Sequence, residues 1–94
     1  MPSNRHPIIC DFLDYIQNIR SYSAHTLRSY AYDLEDYTAF CNDFDPSQEF
    51  IELKRTAIQA YLQHLSRQGL NAKTLARRLA SIKSLYKYML KNKL

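Results

Sequence analysis

Residues 71–91 read NAKTLARRLASIKSLYKYMLK, twenty-one residues without a glycine or proline. Asn71 is a residue type that caps a helix start, because its side-chain oxygen can accept a backbone N–H of the first turn. From there Leu75, Leu79, Ile82, Tyr86 and Met89 recur at intervals of three and four. At about 100° per residue they fall within about 80° of one another, so the stretch is an amphipathic helix with one apolar stripe. The opposite side gathers Lys73, Arg77, Ser81, Ser84, Tyr88 and Lys91, with Ala76, Ala80 and Lys87 along one edge. Basic residues there alternate with small ones, and that face is expected to be exposed.

Working back toward the N-terminus, the same logic yields three more helices. Gly69 stands where a helix ends in a left-handed residue, and Ile58, Tyr61, Leu62 and Leu65 supply a buried face before it, starting at a capping-box pair, Thr56 and Gln59. The run Asn42-Asp43-Phe44-Asp45-Pro46-Ser47 breaks the helix before that, leaving Phe50 and Leu53 to pin a connecting loop to the core. Ser23 is a natural N-cap for a helix whose stripe is Leu27, Tyr30, Ala31, Leu34, Tyr37, Thr38 and Cys41. A first helix starts near Pro7, carries Ile8, Ile9, Phe12, Ile16 and Ile19 on one face, and ends around residues 20–22. No segment alternates with period two, so the fold class is all-α, a four-helix bundle. Ninety-four residues make one domain. Tyr30, Tyr37, Tyr61 and Tyr86 lie on the stripes and are expected in the core, with Tyr32 and Tyr88 exposed. Cys10 and Cys41 lack metal or disulfide spacing and read as reduced packing residues; His6 and His64 have no partners at ligand spacing and receive no role. No metal or cofactor is expected.

Charge divides the chain. Residues 1–52 hold all nine acids against three bases, whereas residues 53–94 hold ten bases and no acid. A solvated helix ordinarily mixes signs so that neighbours three or four apart support one another. The last helix, with seven bases and no acid between Asn71 and the end, repels itself until an anion covers it. The expected anion is double-stranded DNA, since an α-helix fits the major groove and the first turn's N–H groups and dipole favour phosphate. The second helix repeats the pattern at its start, with His25, Arg28, Ser29 and Tyr32 exposed and Asp33, Glu35 and Asp36 beyond them. Neither a signal peptide nor a membrane-spanning stretch is present, and a cytoplasmic location is expected.

His25-Thr26-Leu27-Arg28 is also an H-x-x-R, a spacing that occurs in the active sites of some DNA-breaking enzymes. On a helix starting at Ala24, His25 and Arg28 share the exposed side, as groove or phosphate contacts would, while Thr26 and Leu27 turn toward the core. Three stretches in order carry a family resemblance: Ser23-Ala24-His25-Thr26-Leu27-Arg28-Ser29-Tyr30 with Asp33-Leu34; Tyr61-Leu62-x-x-Leu65-x-x-x-Gly69-Leu70; and Lys73-Thr74-Leu75-x-Arg77-x-Leu79-x-Ser81-Ile82-Lys83-x-Leu85-Tyr86-x-Tyr88. Together they resemble the SAM-like core-binding domain of tyrosine recombinases, the phage-integrase and Xer group, over nearly the whole chain.

That resemblance implies a four-helix bundle forming half of a clamp around DNA, with the second and fourth helices laid toward the major groove. It also implies that the catalytic H-x-x-R belongs to a separate C-terminal domain, so the chain has no catalytic residue of its own and does not cut DNA. Ala31 and Tyr32 stand where family members commonly place two basic residues, which weakens the expected grip of the second helix. The candidate DNA contacts are His25, Thr26, Arg28, Ser29 and Tyr32 on the second helix, and Lys73, Thr74, Arg77, Arg78, Ser81, Ser84 and Lys87 on the fourth. Lys73 and Arg77 are the expected readers of base edges; Lys87 and Lys91 are the expected phosphate contacts. The implied partners are a recombination half-site and, through a full-length protein, other recombinase protomers; the isolated domain is expected to be monomeric. Two rivals are a helical protein-interaction module docking its basic last helix on an acidic partner, and a stand-alone helix-turn-helix regulator.

Overall fold

His6 opens the first helix: its Nδ1 accepts the Ile8 N–H at 3.1 Å and its ring packs edge-on to Phe50 with centroids 4.9 Å apart. A histidine read as having no role is thus both a cap and a packing residue. The computed structural model describes residues 6–48 and 50–92 as four helices, α1 Pro7–Asn18, α2 Ala24–Phe44, α3 Phe50–Arg67 and α4 Ala72–Lys91. Residues 1–5, read for a targeting signal, lie outside the described residues.

Each boundary has a local cause. Pro7 suits the first turn of α1, where an N–H has no acceptor anyway. Ile9, Phe12 and Ile16 are buried as their spacing requires, and Leu13 joins them. Ile19, expected on the same face, lies just past the helix end and is 69% exposed. Ser23 Oγ accepts the Thr26 N–H at 3.2 Å and opens α2. That helix continues through Asn42 and Asp43 to Phe44, because the side chain that ends it is Asp45, whose carboxylate folds back on the Ser47 N–H at 3.1 Å.

The segment expected as a connecting loop is instead the first turn of α3. Phe50 is buried, and the Tyr86 hydroxyl donates to its carbonyl oxygen. The break comes at Lys54, with φ 42° and ψ −122°, after which the helix resumes toward Ala57 and Tyr61. The far end of α3 is closed by paired backbone bonds, Leu70 N–H to the Leu65 carbonyl at 3.3 Å and Gly69 N–H to Ser66 at 3.0 Å. Gly69 supplies the φ of +86° that this cap needs. Two residues later Asn71 Oδ1 accepts the Thr74 N–H at 2.9 Å and α4 begins.

α2 and α4 form the centre of the bundle. Each packs against all three other helices, whereas α1 and α3 flank the pair and meet at the α1 cap, where His6 packs on Phe50. The core runs through Phe12, Leu34, Tyr37, Ala57, Tyr61, Leu65, Ile82, Leu85 and Met89. Full burial of one such large apolar side chain stabilises by about 1.5–3 kcal/mol, and this contiguous cluster is what holds helices with little intrinsic reason to form alone. Since α4 faces three neighbours, it buries a wider arc than its apolar stripe: Arg78, Ser81 and Leu85 are inside, while Leu75, Leu79 and Tyr86 are only partly covered. Cys41 is in the core, and burial raises its thiol pKa; Cys10, expected as a packing residue, is exposed.

Candidate nucleic-acid interface

Polar side chains tie α2 to α4 where the two helices meet. Asp33 takes Arg77 and Ser81, Asp36 takes Arg78, and the Tyr37 and Tyr86 hydroxyls meet at 2.9 Å. Lys91, in the last turn of α4, is exposed.

The candidate contacts separate into surface and interior. His25, Arg28, Lys73 and Lys87 are exposed, and Tyr32 is 61% exposed. Ser29 and Ser84 are half-buried. Thr26 and Thr74, also half-buried, give their N–H groups to the caps, and Thr26 Oγ1 accepts the Ser23 hydroxyl at 3.1 Å. Arg77 is half out of the protein, its side chain 48% exposed, with Nη1 on Asp33 Oδ2 at 2.7 Å. Ser81 and Arg78, by contrast, are buried, and the expectation that Ser81 belongs to an exposed face is corrected. Tyr88 is corrected too, since its ring packs against Phe12 at 5.4 Å and Tyr15 at 5.2 Å. Lys83 turns toward α3, where with Lys54 and Arg55 it lines a groove of about 430 Å³.

What buries Ser81 and Arg78 is a polar cluster that helical periodicity does not reveal. Asp33 is 1% exposed; its Oδ2 accepts Arg77 Nη1 and the Ser81 hydroxyl, the latter at 3.0 Å. Beside it Arg78 Nη1 donates to Asp36 Oδ2 at 2.7 Å and to the Tyr61 hydroxyl oxygen at 3.0 Å, while Tyr61 donates its own proton to Asp36 at 2.6 Å. Burial first, and then its bond to Asp36, raise the Tyr61 pKa. The Arg78 guanidinium also lies 5.3 Å from the centre of the Tyr32 ring. A buried charge has to be paired, and α2 supplies the two carboxylates that let two arginines of α4 face inward. One signal was available for this. Asp33 is three residues from Tyr30 and four from Tyr37, so it stands on the apolar stripe, where a carboxylate needs a cation from another helix.

Among the described residues, no helix is long and apolar enough to cross a membrane, and no group of three metal-ligating side chains converges. The chain is similar to the tyrosine recombinase XerC of Listeria innocua, with 34% identity over 85% of the chain and 26% of the relative. It is similar as well to the tyrosine recombinase XerD of Oceanobacillus iheyensis, 30% identical over 89% of the chain and 28% of the relative. A tyrosine recombinase of Pseudothermotoga lettingae is 32% identical over 87% of the chain and 29% of the relative. The chain thus spans less than a third of the length of these curated relatives. No solved structure matches it significantly. Residues 9–93 match the phage integrase N-terminal SAM-like domain, and with four helices in place and all three recombinase-like stretches inside that span, the chain belongs to this family of tyrosine recombinase N-terminal domains.

Proposed function

We propose that the chain is the DNA-binding domain of a site-specific tyrosine recombinase, gripping one recombination half-site across the crossing of α2 and α4. The observation that carries this reading is the surface of α4, which has no acid and presents Lys73, half of Arg77, Lys87 and Lys91, with His25 and Arg28 exposed at the start of α2. Cations set along two crossing helices match the phosphates of a duplex lying over them. Ser29 and Tyr32 lie close enough in sequence to Arg28 to meet the same backbone. Arg78 and Ser81 act beneath this surface as its frame.

The chain does no cleavage in this reading. A catalytic domain in the remaining length of a recombinase places the nucleophile, and the present domain positions the duplex for it. Other protomers join through the full protein on DNA, in the cytoplasm, while the separate domain is monomeric. The test is fluorescence anisotropy with a labelled mixed-sequence duplex of about 30 base pairs, where a dissociation constant of roughly 10⁻⁴ to 10⁻⁶ M that weakens steeply with added salt is expected. Binding that is absent, or equal at low and high salt, refutes the reading.

A further inference from the structure

Two buried polar atoms face one another across the α2–α4 crossing without being bonded. Asp33 Oδ1 and Arg78 Nε each lack a hydrogen-bond partner among the described residues, and they are 3.9 Å apart. The other oxygen of the same carboxylate holds the half-exposed Arg77 at 2.7 Å. We propose that Asp33 is a positioning residue that holds Arg77 in the free protein as an internal substitute for a DNA phosphate and releases it on binding, its own charge then being taken over by Arg78 Nε. This rests on the DNA-binding reading of the α2–α4 surface.

The physical argument concerns what would otherwise oppose release. Removing Arg77 from a carboxylate that is 1% exposed would leave a buried charge without its cation, a strongly unfavourable state. Here a second guanidinium waits within an ångström or so of bonding distance, and pairing it with Oδ1 satisfies both unpartnered atoms at once. Ser81, at 3.0 Å, stays on Oδ2 and keeps the carboxylate oriented. Arg78 is itself held by Asp36 and Tyr61 through Nη1, so Nε can close on Asp33 without giving up those bonds. Arg77 therefore exchanges one anion for another, and the carboxylate keeps a cation throughout.

The experiment is a double-mutant cycle read by duplex binding. Asp33→Asn keeps the shape of the side chain and its bond to Ser81 but removes the competing charge. With Arg77 present, this change should tighten binding of the mixed-sequence duplex about twofold to fivefold at low salt, the scale of one partly exposed ion pair. In an Arg77→Ala background it should produce only the smaller uniform gain of one lost negative charge. Equal effects in the two backgrounds, or weaker binding with Arg77 present, would overturn the hand-over while leaving DNA binding intact. Wild-type protein that binds no duplex would overturn both readings. Should Asp33→Asn fail to fold, the wild-type protein still decides: in ¹⁵N spectra the Arg78 Nε–H resonance should shift and gain protection from exchange when duplex is added, and an unchanged resonance would refute the hand-over.

Discussion

Arg78→Ala should destabilise the domain by about 2–3 kcal/mol, a cost that a surface arginine gripping DNA would not incur. The side chain is 10% exposed and its Nη1 makes two bonds, at 2.7 Å to Asp36 and 3.0 Å to Tyr61. Hydrogen bonds to charged groups contribute about 1.5–3 kcal/mol, and loss of one partner of a fully buried pair costs about 3–5 kcal/mol. The upper figure does not apply, since the Asp36 side chain is 43% exposed and water can replace part of what Arg78 gave it. Loss of the packed aliphatic stem brings the sum back to the stated range. For a domain of this length about 1 kcal/mol corresponds to roughly 4–8 °C in melting temperature, so a drop of about 10–20 °C is expected. Urea and thermal denaturation followed by circular dichroism measure it. Arg78→Met, which retains the stem, should lose less, and the difference isolates the charge. A variant within about 0.5 kcal/mol of wild type, the ordinary range for surface changes, would refute the interior assignment of Arg78.

Asn71→Ala removes the acceptor of the Thr74 N–H and should cost about 1 kcal/mol in urea denaturation; no change would mean that α4 starts without that cap. In alkaline solution the Tyr86 pKa, pushed up to about 12 first by burial, stands above the ordinary tyrosine value, and those of Tyr37 and Tyr61 are also raised. These groups stay neutral in the folded protein but ionise in the unfolded chain from pH about 10, so their contribution is complete below that and is lost as pH rises toward about 12. Stability that increases between pH 10 and 11 would contradict the burial of these hydroxyls. His25→Ala should weaken duplex binding about twofold to fivefold, with no strand cleavage before or after the change. Nicking of supercoiled plasmid by the wild-type domain, abolished in the variant, would establish His25 as catalytic.

The helix boundaries were legible because capping is local. Ser23, Gly69 and Asn71 act on backbone groups within a few residues of themselves, and each does so in the fold as its sequence context indicates. The interior of the candidate surface was not legible in the same way. A projection at about 100° per residue sorts side chains by hydropathy around a single helix. It cannot register that Ser81 and Arg78 meet carboxylates more than forty residues earlier in the chain. The turn at residues 50–53 was misread for a related reason, since Phe50 is held by the hydroxyl of Tyr86, thirty-six residues away. His6 escaped notice because a histidine cap is less common than Ser, Asp or Asn in that place.

The connector between α3 and α4 has a consequence for how the chain tolerates changes of length. Leu70 completes the cap of one helix and Asn71 immediately opens the next, so no residue there is spare. One residue inserted within the first turn of α4 would turn the rest of that helix by about 100° relative to its capped start. Ser81 and Arg78 would leave their carboxylates, and Asp33 would be buried beside whatever side chain arrived instead. The turn after Phe44 is different, since the Asp45 carboxylate accepts from its neighbours Ser47 and Gln48 and Pro46, Ser47 and Gln48 are exposed. Related chains that vary in length should therefore accept insertions and deletions between α2 and α3, while the spacing from Gly69 to Ser81 stays fixed.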